Sequence, residues 1–307
     1  MASFLFHHQR IAYTEFGGGP AELKSDGTRG KTPRRATAAK RPVILVHGLL
    51  LSQKMHKPLA KELAARGNRV ITVDLLGHGE SDRPRDMWRY SMHSFAEQLV
   101  ALMDHLELSE AVVMGTSLGA NAALQVAATA PERLRGMVIE MPVLDNGLLS
   151  SALTFTPILV ALTFGEPVMK LVARGTRALP RRLLPYYGNV MLDLVRQDPG
   201  PGGALLQGLF FGRIAPHRNE RRTFKTPALV LGHRRDPVHP FSDAGMLAAE
   251  LPDARLIEAD SLVELRLRPE RLTDEIAGFL DEVWASKPRR AKSARTTRAK
   301  RATSTSS

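Results

Sequence analysis

The chain is predicted to fold as an α/β domain, a mostly parallel sheet wound on both faces by helices, with a helical cap inserted before the penultimate strand. Three observations predict this. Short continuous apolar runs (Val43-Ile-Leu-Val46, Val70-Ile-Thr-Val73, Ala111-Val-Val-Met114, Met137-Val-Ile139, Ala228-Leu-Val-Leu231) have the composition of strands buried on both faces. Segments of helical period alternate with them, at 57–66, 94–106 and 271–284. Between one strand and a helix rich in small residues (Ala120, Ala122, Ala123, Ala127, Ala128) stands Gly115-Thr-Ser117-Leu-Gly119. In that context the pentapeptide makes a sharp turn that exposes the serine.

Taken in order, residues 3–16 alternate and read as two strands, an antiparallel hairpin at a sheet edge, closed off by Gly17-Gly-Gly-Pro20. Residues 21–42 carry seven basic and two acidic residues and read as an unfolded basic insert. The strand at 43–46 delivers the chain to His47-Gly48, and the strand at 69–73 delivers it to Asp74. The helix at 94–106 presents Phe95, Leu99, Leu102, Met103 and Leu106 on one face. Strands at 135–140, 226–232 and 254–258 follow, then the amphipathic terminal helix. In a sheet of this kind ligands sit at the carboxyl ends of the strands. His47, Asp74, Ser117, Asp145 and Asp236 all fall there.

The excursion at 146–222 interrupts the alternation. Its first helix is apolar on more than one side, but Leu148–Phe164 is only 17 residues, contains Pro157, and ends at Gly165-Glu-Pro167. A membrane span usually requires about 20 residues, so the segment reads as a lid, and no transmembrane segment is expected. The expected organisation is a first core part over 1–145, the cap over 146–222, a second core part over 223–285 and a basic tail over 286–307.

The 307 residues are 43% apolar and carry a formal charge of +12. That charge is unevenly spread. Residues 286–307 hold eight basic and no acidic side chains, and with 21–42 they account for the excess, so the remaining chain is close to neutral. Neither stretch has aromatics to stack on bases, so solvated segments are expected in preference to contacts with nucleic acid or an anionic surface. The absence of cysteine excludes disulfides, thiolate metal sites and cysteine nucleophiles. No histidine–carboxylate spacing suggests a metal site and no phosphate-cradling loop is present, so no cofactor is expected. Residues 1–13 lack a basic stretch followed by a long apolar run, so no signal peptide and a cytoplasmic location are expected.

The chain resembles the α/β-hydrolase superfamily over roughly 3–20 and 42–285. The resemblance rests on His47-Gly48, Asp74-Leu-Leu-Gly-His-Gly-Glu-Ser-Asp-Arg-Pro84, Gly115-Thr-Ser117-Leu-Gly119 and Gly232-His-Arg-Arg-Asp236-Pro. It implies Ser117 as nucleophile, the backbone N–H groups of Leu49 and Leu118 as an oxyanion hole, and Asp236 as the acid that orients a histidine. Asp145 is the alternative acid. A serine at the elbow, not an aspartate, argues against dehalogenase and epoxide hydrolase chemistry. The expected reaction is hydrolysis of a small-to-medium hydrophobic ester or thioester, the hydrophobic acyl group being read from the apolar cap and not from the resemblance.

The histidine departs from the family pattern. Aligned on Arg268-Pro269-Glu270, its position is Leu262, and no histidine follows His239. Three readings stand. Another histidine serves as base, with His239, three residues past Asp236, ahead of His233, His56 and His93. Alternatively Asp236, Glu264 or a substrate group acts without histidine. Otherwise the fold is a catalytically silent module binding a hydrophobic ligand or partner. His47, His78, His105, His7, His8 and His217 read as structural or remote.

Overall fold

The computed structural model describes residues 1–17 and 41–286. The expectations for the basic insert and for the tail fall outside the described residues, apart from Arg41, Pro42 and Ser286.

The described chain runs β1 (Ala2–Phe6), β2 (Gln9–Phe16), β3 (Pro42–Val46), α1 (Lys57–Ala65), β4 (Arg69–Val73), α2 (Met92–His105), β5 (Ala111–Thr116), α3 (Leu118–Thr129) and β6 (Leu134–Glu140). The helical insertion follows: α4 (Gly147–Phe164), α5 (Glu166–Arg177), α6 (Tyr186–Val195), α7 (Pro199–Phe210) and the single turn α8 (Arg218–Arg221). The chain returns through β7 (Ala228–His233), α9 (Phe241–Glu250), β8 (Ala254–Ala259), the short α10 (Glu264–Leu267) and α11 (Glu270–Ala285).

The strands form one sheet in the order β1-β2-β4-β3-β5-β6-β7-β8. The hairpin β1–β2 lies at one edge and pairs antiparallel with β4; every other pairing is parallel. His7 and His8 make its two-residue turn with φ of 46° and 65°, the positive values that a tight hairpin requires. Alternation along the strands splits the core between two faces. Ile44, Val46, Ile71, Val113, Ile139 and Val230 pack with α2, α3 and α9; Val43, Leu45, Val112, Met114, Val138 and Leu229 pack with α1 and α11.

The register aligns the carboxyl ends of the central strands. Val46 pairs with Val73 and Gly115, and Thr116 with Glu140. Buried polar groups then tie the loops leaving this edge. The His47 Nδ1–H donates to Gly48 O at 2.8 Å, and its Nε2 accepts the Leu75 N–H at 3.1 Å. Asp74 accepts from Gln53 N at 2.7 Å, Gln53 Nε2 at 2.8 Å and Glu80 N at 3.0 Å. Ser81 donates to Asp74 O at 2.6 Å and accepts from Ala12 N at 2.8 Å. These bonds give the residues of the Asp74–Pro84 loop a structural task.

His47, His56 and His78 are all fully buried. Burial pushes each imidazole below its ordinary value of 6.5, His56 to about 3. For His78 burial acts first and the neighbouring His47 adds to it, and the ring stays well below that value. The His56 Nε2–H donates to Val46 O at 3.1 Å, which fixes the tautomer, and burial outweighs that bond and keeps the ring neutral. An unfolded chain takes up a proton near 6.5, whereas folded His56 does so only near 3. Stability is therefore expected to fall as pH drops from 6.5 towards 3. His56→Gln keeps a donor for Val46 O and removes the titration. In urea unfolding at pH 7 and pH 5 it is expected to shrink the difference between the two by about 2 kcal/mol. An unchanged difference would mean that His56 is not held neutral.

Candidate active site

β5 runs into α3 through Ser117, whose backbone has φ 54° and ψ −110°. That left-handed conformation costs a non-glycine residue about 1–3 kcal/mol and persists only where its surroundings enforce it. Glycine on both sides makes the turn possible. A Cβ at Gly115 would lie 2.0 Å from the Gly119 carbonyl, and one at Gly119 would lie 2.3 Å from Val46 O. The Ser117 N–H donates to Glu140 O at 2.9 Å, and Ser117 O accepts from Asn121 N at 3.0 Å as α3 begins.

The loop after β7 carries Asp236 and His239. Asp236 Oδ1 accepts the N–H groups of Val238 at 2.8 Å and His239 at 3.0 Å, curling the chain back on itself. Its Oδ2 lies 2.8 Å from His239 Nδ1, which donates to it. In the neutral tautomer that this bond selects, Nε2 is the acceptor, and it accepts from Ser117 Oγ at 2.8 Å. The side chains of Asp236 and His239 are 1% and 13% exposed. Burial pushes the Asp236 carboxyl up, but the hydrogen bond and charge of His239, with the two backbone donors, outweigh it and hold the group below its ordinary value of 3.8. In this arrangement a serine proton can pass to an imidazole whose far side faces a carboxylate.

The loop is clamped from the insertion. Ser150 of α4 donates to Val238 O at 2.8 Å. Buried Asp243 of α9 accepts the N–H groups of Leu144 at 2.7 Å, Asn146 at 3.0 Å and Gly147 at 2.8 Å where α4 starts. Pro237 and Pro240 stiffen the same loop.

Leu49 and Leu118 border Ser117 on a shared cavity of about 440 Å³. Among the described residues neither N–H donates to a backbone acceptor outside the helices and strands, and Leu118 is in the first turn of α3, where N–H groups have no partner within the helix. Leu148, Ala152 and Phe155 of α4 and Leu206, Leu209 and Phe210 of α7 also line the cavity, as do Asp145, Arg213, His217 and Arg221.

The other sequence candidates lie elsewhere. His233 is buried; its Nδ1–H donates to Ser261 O at 2.8 Å, and its Nε2 has no hydrogen-bond partner among the described residues. His56 is committed to Val46 O, and exposed His93 lies 3.3 Å from Glu97. Glu264 is held by Arg271 at 2.8 Å and 2.9 Å and by Asp260 N at 2.5 Å. Asp145 is 62% exposed and lies 3.3 Å from Arg221. Leu262 stands 42% exposed in the turn after β8. One expectation is corrected: His217, read as remote, lines the cavity, because the chain closing the insertion folds back over the strand ends.

A buried cluster behind the elbow has no counterpart among the sequence expectations. Thr116 Oγ1 donates to Glu140 Oε2 at 2.5 Å. Arg266 from α10 reaches the two Glu140 oxygens at 2.7 Å and 3.2 Å and Thr116 Oγ1 at 3.2 Å. Burial pushes the Glu140 carboxyl up, and Arg266, the Thr116 hydrogen bond and His233 together more than offset this, holding it below 4.5. The only sequence signal was a glutamate closing the apolar run Met137–Ile139. Asn121 was missed too; it donates to Val143 O and Ile214 O, both at 2.8 Å, and so joins α3 to the cavity wall. Among the described residues no group of three or more histidine and carboxylate side chains is placed to hold a metal ion.

The family model described as alpha/beta hydrolase fold matches residues 41–156. The AB hydrolase superfamily protein YisY of Bacillus subtilis is 27% identical over 71% of this chain and 82% of its own length. A haloalkane dehalogenase of Mycolicibacterium paratuberculosis is 31% identical over 38% of this chain and 37% of its own length. The crystal structure of the enol-lactonase from Burkholderia xenovorans LB400 superimposes with a TM-score of 0.67 at 20% identity, covering 91% of this chain and 100% of that one. With its sequence motifs in place on a mostly parallel eight-stranded sheet, the chain has the α/β-hydrolase fold, and its residues 41–156 match the model of that family.

Proposed function

We propose that the protein is a serine hydrolase that cleaves a hydrophobic ester or thioester through an acyl-enzyme on Ser117. The observation that carries this reading is the continuous chain from Ser117 Oγ to His239 Nε2 at 2.8 Å and from His239 Nδ1 to Asp236 Oδ2 at 2.8 Å. His239 takes the serine proton as Oγ attacks the acyl carbon. The Leu49 and Leu118 N–H groups stabilise the oxyanion. His239 then gives that proton to the departing alcohol or thiol. Water, deprotonated by the same ring, attacks the acyl carbon and releases the acid, restoring Ser117. Asp236 fixes the tautomer and the ring's orientation. In this reading the insertion caps the site, and the apolar side chains of α4 and α7 receive the acyl group. Ser117 also separates the chain from relatives named as dehalogenases, which the reading does not follow.

Hydrolysis of p-nitrophenyl esters tests the roles. Ser117→Ala and His239→Ala are each expected to lower kcat by more than about 10³-fold, and Asp236→Asn, which frees the ring to take the wrong tautomer, by roughly 10³- to 10⁴-fold. Full activity in folded His239→Ala would refute the assignment of the base. An inert wild type that still binds hydrophobic ligands would instead identify a silent binding protein.

The cavity sets a second expectation. From acetate towards longer acyl chains, kcat/KM is expected to rise about fourfold per methylene until the cavity is full, as each buried methylene contributes about 0.8 kcal/mol. Phe155→Trp, which narrows the cavity, is expected to move the optimum to a shorter chain. A preference for acetate in the wild type would place the acyl group elsewhere.

A further inference from the structure

The insertion leaves an apolar face in solvent. On α4, Leu149, Leu153, Val160 and Phe164 are 70%, 69%, 49% and 82% exposed. Their spacing of four, seven and four residues puts them on one side of the helix, within about 60° of arc. The other side, with Leu148, Ala152 and Phe155, lines the cavity. Next to this stripe, α5 presents Val168, Leu171 and Val172, also exposed and on one side, with Lys170, Arg174 and Arg177 on the other. An amphipathic helix normally turns its apolar stripe to the core; here the stripe faces outward. Monomeric proteins rarely expose an apolar surface of this extent without a partner.

We propose that the α4–α5 face docks on the surface of an anionic lipid bilayer. Charge complementarity selects this occupant. Residues 166–182 carry five basic side chains and one acidic, and Arg174, Arg177, Arg181 and Arg182 among them are exposed. An apolar stripe flanked by arginine and lysine is the pattern of a helix lying in the headgroup region. A second copy docked through the same face would set like charges against one another. The segments 18–40 and 287–307 offer few apolar side chains to such a face: in 18–40 the single large apolar residue is Leu23, and 287–307 has none. The helix lies along the surface and does not cross it. Its 18 residues span about 27 Å, short of the roughly 30 Å hydrocarbon core, and its inner side is occupied by the cavity. Docking does not depend on the hydrolase reading. If both hold, a lipid-borne acyl ester enters a cavity one helix away from the membrane.

The test is co-sedimentation of the full chain with vesicles of phosphatidylcholine, or of phosphatidylcholine mixed with phosphatidylglycerol. The wild type is expected to bind the mixed vesicles, and to bind them less as salt is raised. Leu153→Glu/Phe164→Glu changes two exposed positions and is expected to weaken binding by more than about tenfold. Arg174→Glu/Arg182→Glu is expected to weaken binding to the mixed vesicles by about tenfold or more. Circular dichroism and thermal unfolding verify that each variant is folded. Failure of the wild type to bind either vesicle overturns the proposal. So does binding undiminished in Leu153→Glu/Phe164→Glu, which would assign it to the basic segments. A wild-type dimer in light scattering that this variant converts to monomer, without vesicle binding, would assign the face to a second copy.

Discussion

The left-handed backbone at Ser117 is the constraint from which the rest of the site follows. The chain must leave β5, reverse within one residue and enter α3, and the turn closes only because Gly115 and Gly119 allow backbone contacts that a Cβ would block. The strain is held by neighbours on both sides. The pairing of β5 with β6 carries the Ser117 N–H to Glu140 O, while the small residues of α3 let that helix pack closely on the sheet. Behind the turn, Glu140, Thr116 and Arg266 form a buried charged cluster. Removing Arg266 alone would leave a buried carboxylate without its partner, a change that typically destabilises by about 3–5 kcal/mol. The cluster thus links the conformation of the elbow to α10, which follows the edge strand β8.

In the proposed function, one loop supplies both acid and base. Asp236 uses one carboxylate oxygen to shape the loop through the Val238 and His239 N–H groups and the other to hold the imidazole. Fold and orientation therefore depend on the same side chain. The loop after β8, where the resemblance leads one to look for a histidine, carries instead Leu262 in a turn and Arg266 towards Glu140. The clamp from Ser150 and Asp243 makes the position of the loop depend on the start of α4, so the insertion contributes to the site's geometry as well as to its walls.

Much of this was legible in the sequence because it is local. Strands buried on both faces announce themselves as continuous apolar runs, and Gly-x-Ser-x-Gly between a strand and a small-residue helix permits few backbone paths. The Asp236–His239 spacing was readable for the same reason: three residues around a turn bring two side chains together. The Glu140–Arg266 pair was not readable, because its partners are 126 residues apart and meet only through strand order and the placement of α10. His217 was misread for a related reason, since the return path of the insertion determines what faces the cavity. The outward stripe on α4 was visible as apolar sequence, but which side met water depended on the packing of α7 and the cavity.

The most direct measurement is labelling with a fluorophosphonate, with the adduct located by mass spectrometry in the wild type, Ser117→Ala and His239→Ala. The reagent requires an activated serine and an oxyanion hole but no knowledge of the substrate. An adduct on Ser117 in the wild type that is lost in folded His239→Ala is the expected result. An adduct that persists in His239→Ala, or a folded wild type that takes none, would contradict a serine activated by His239.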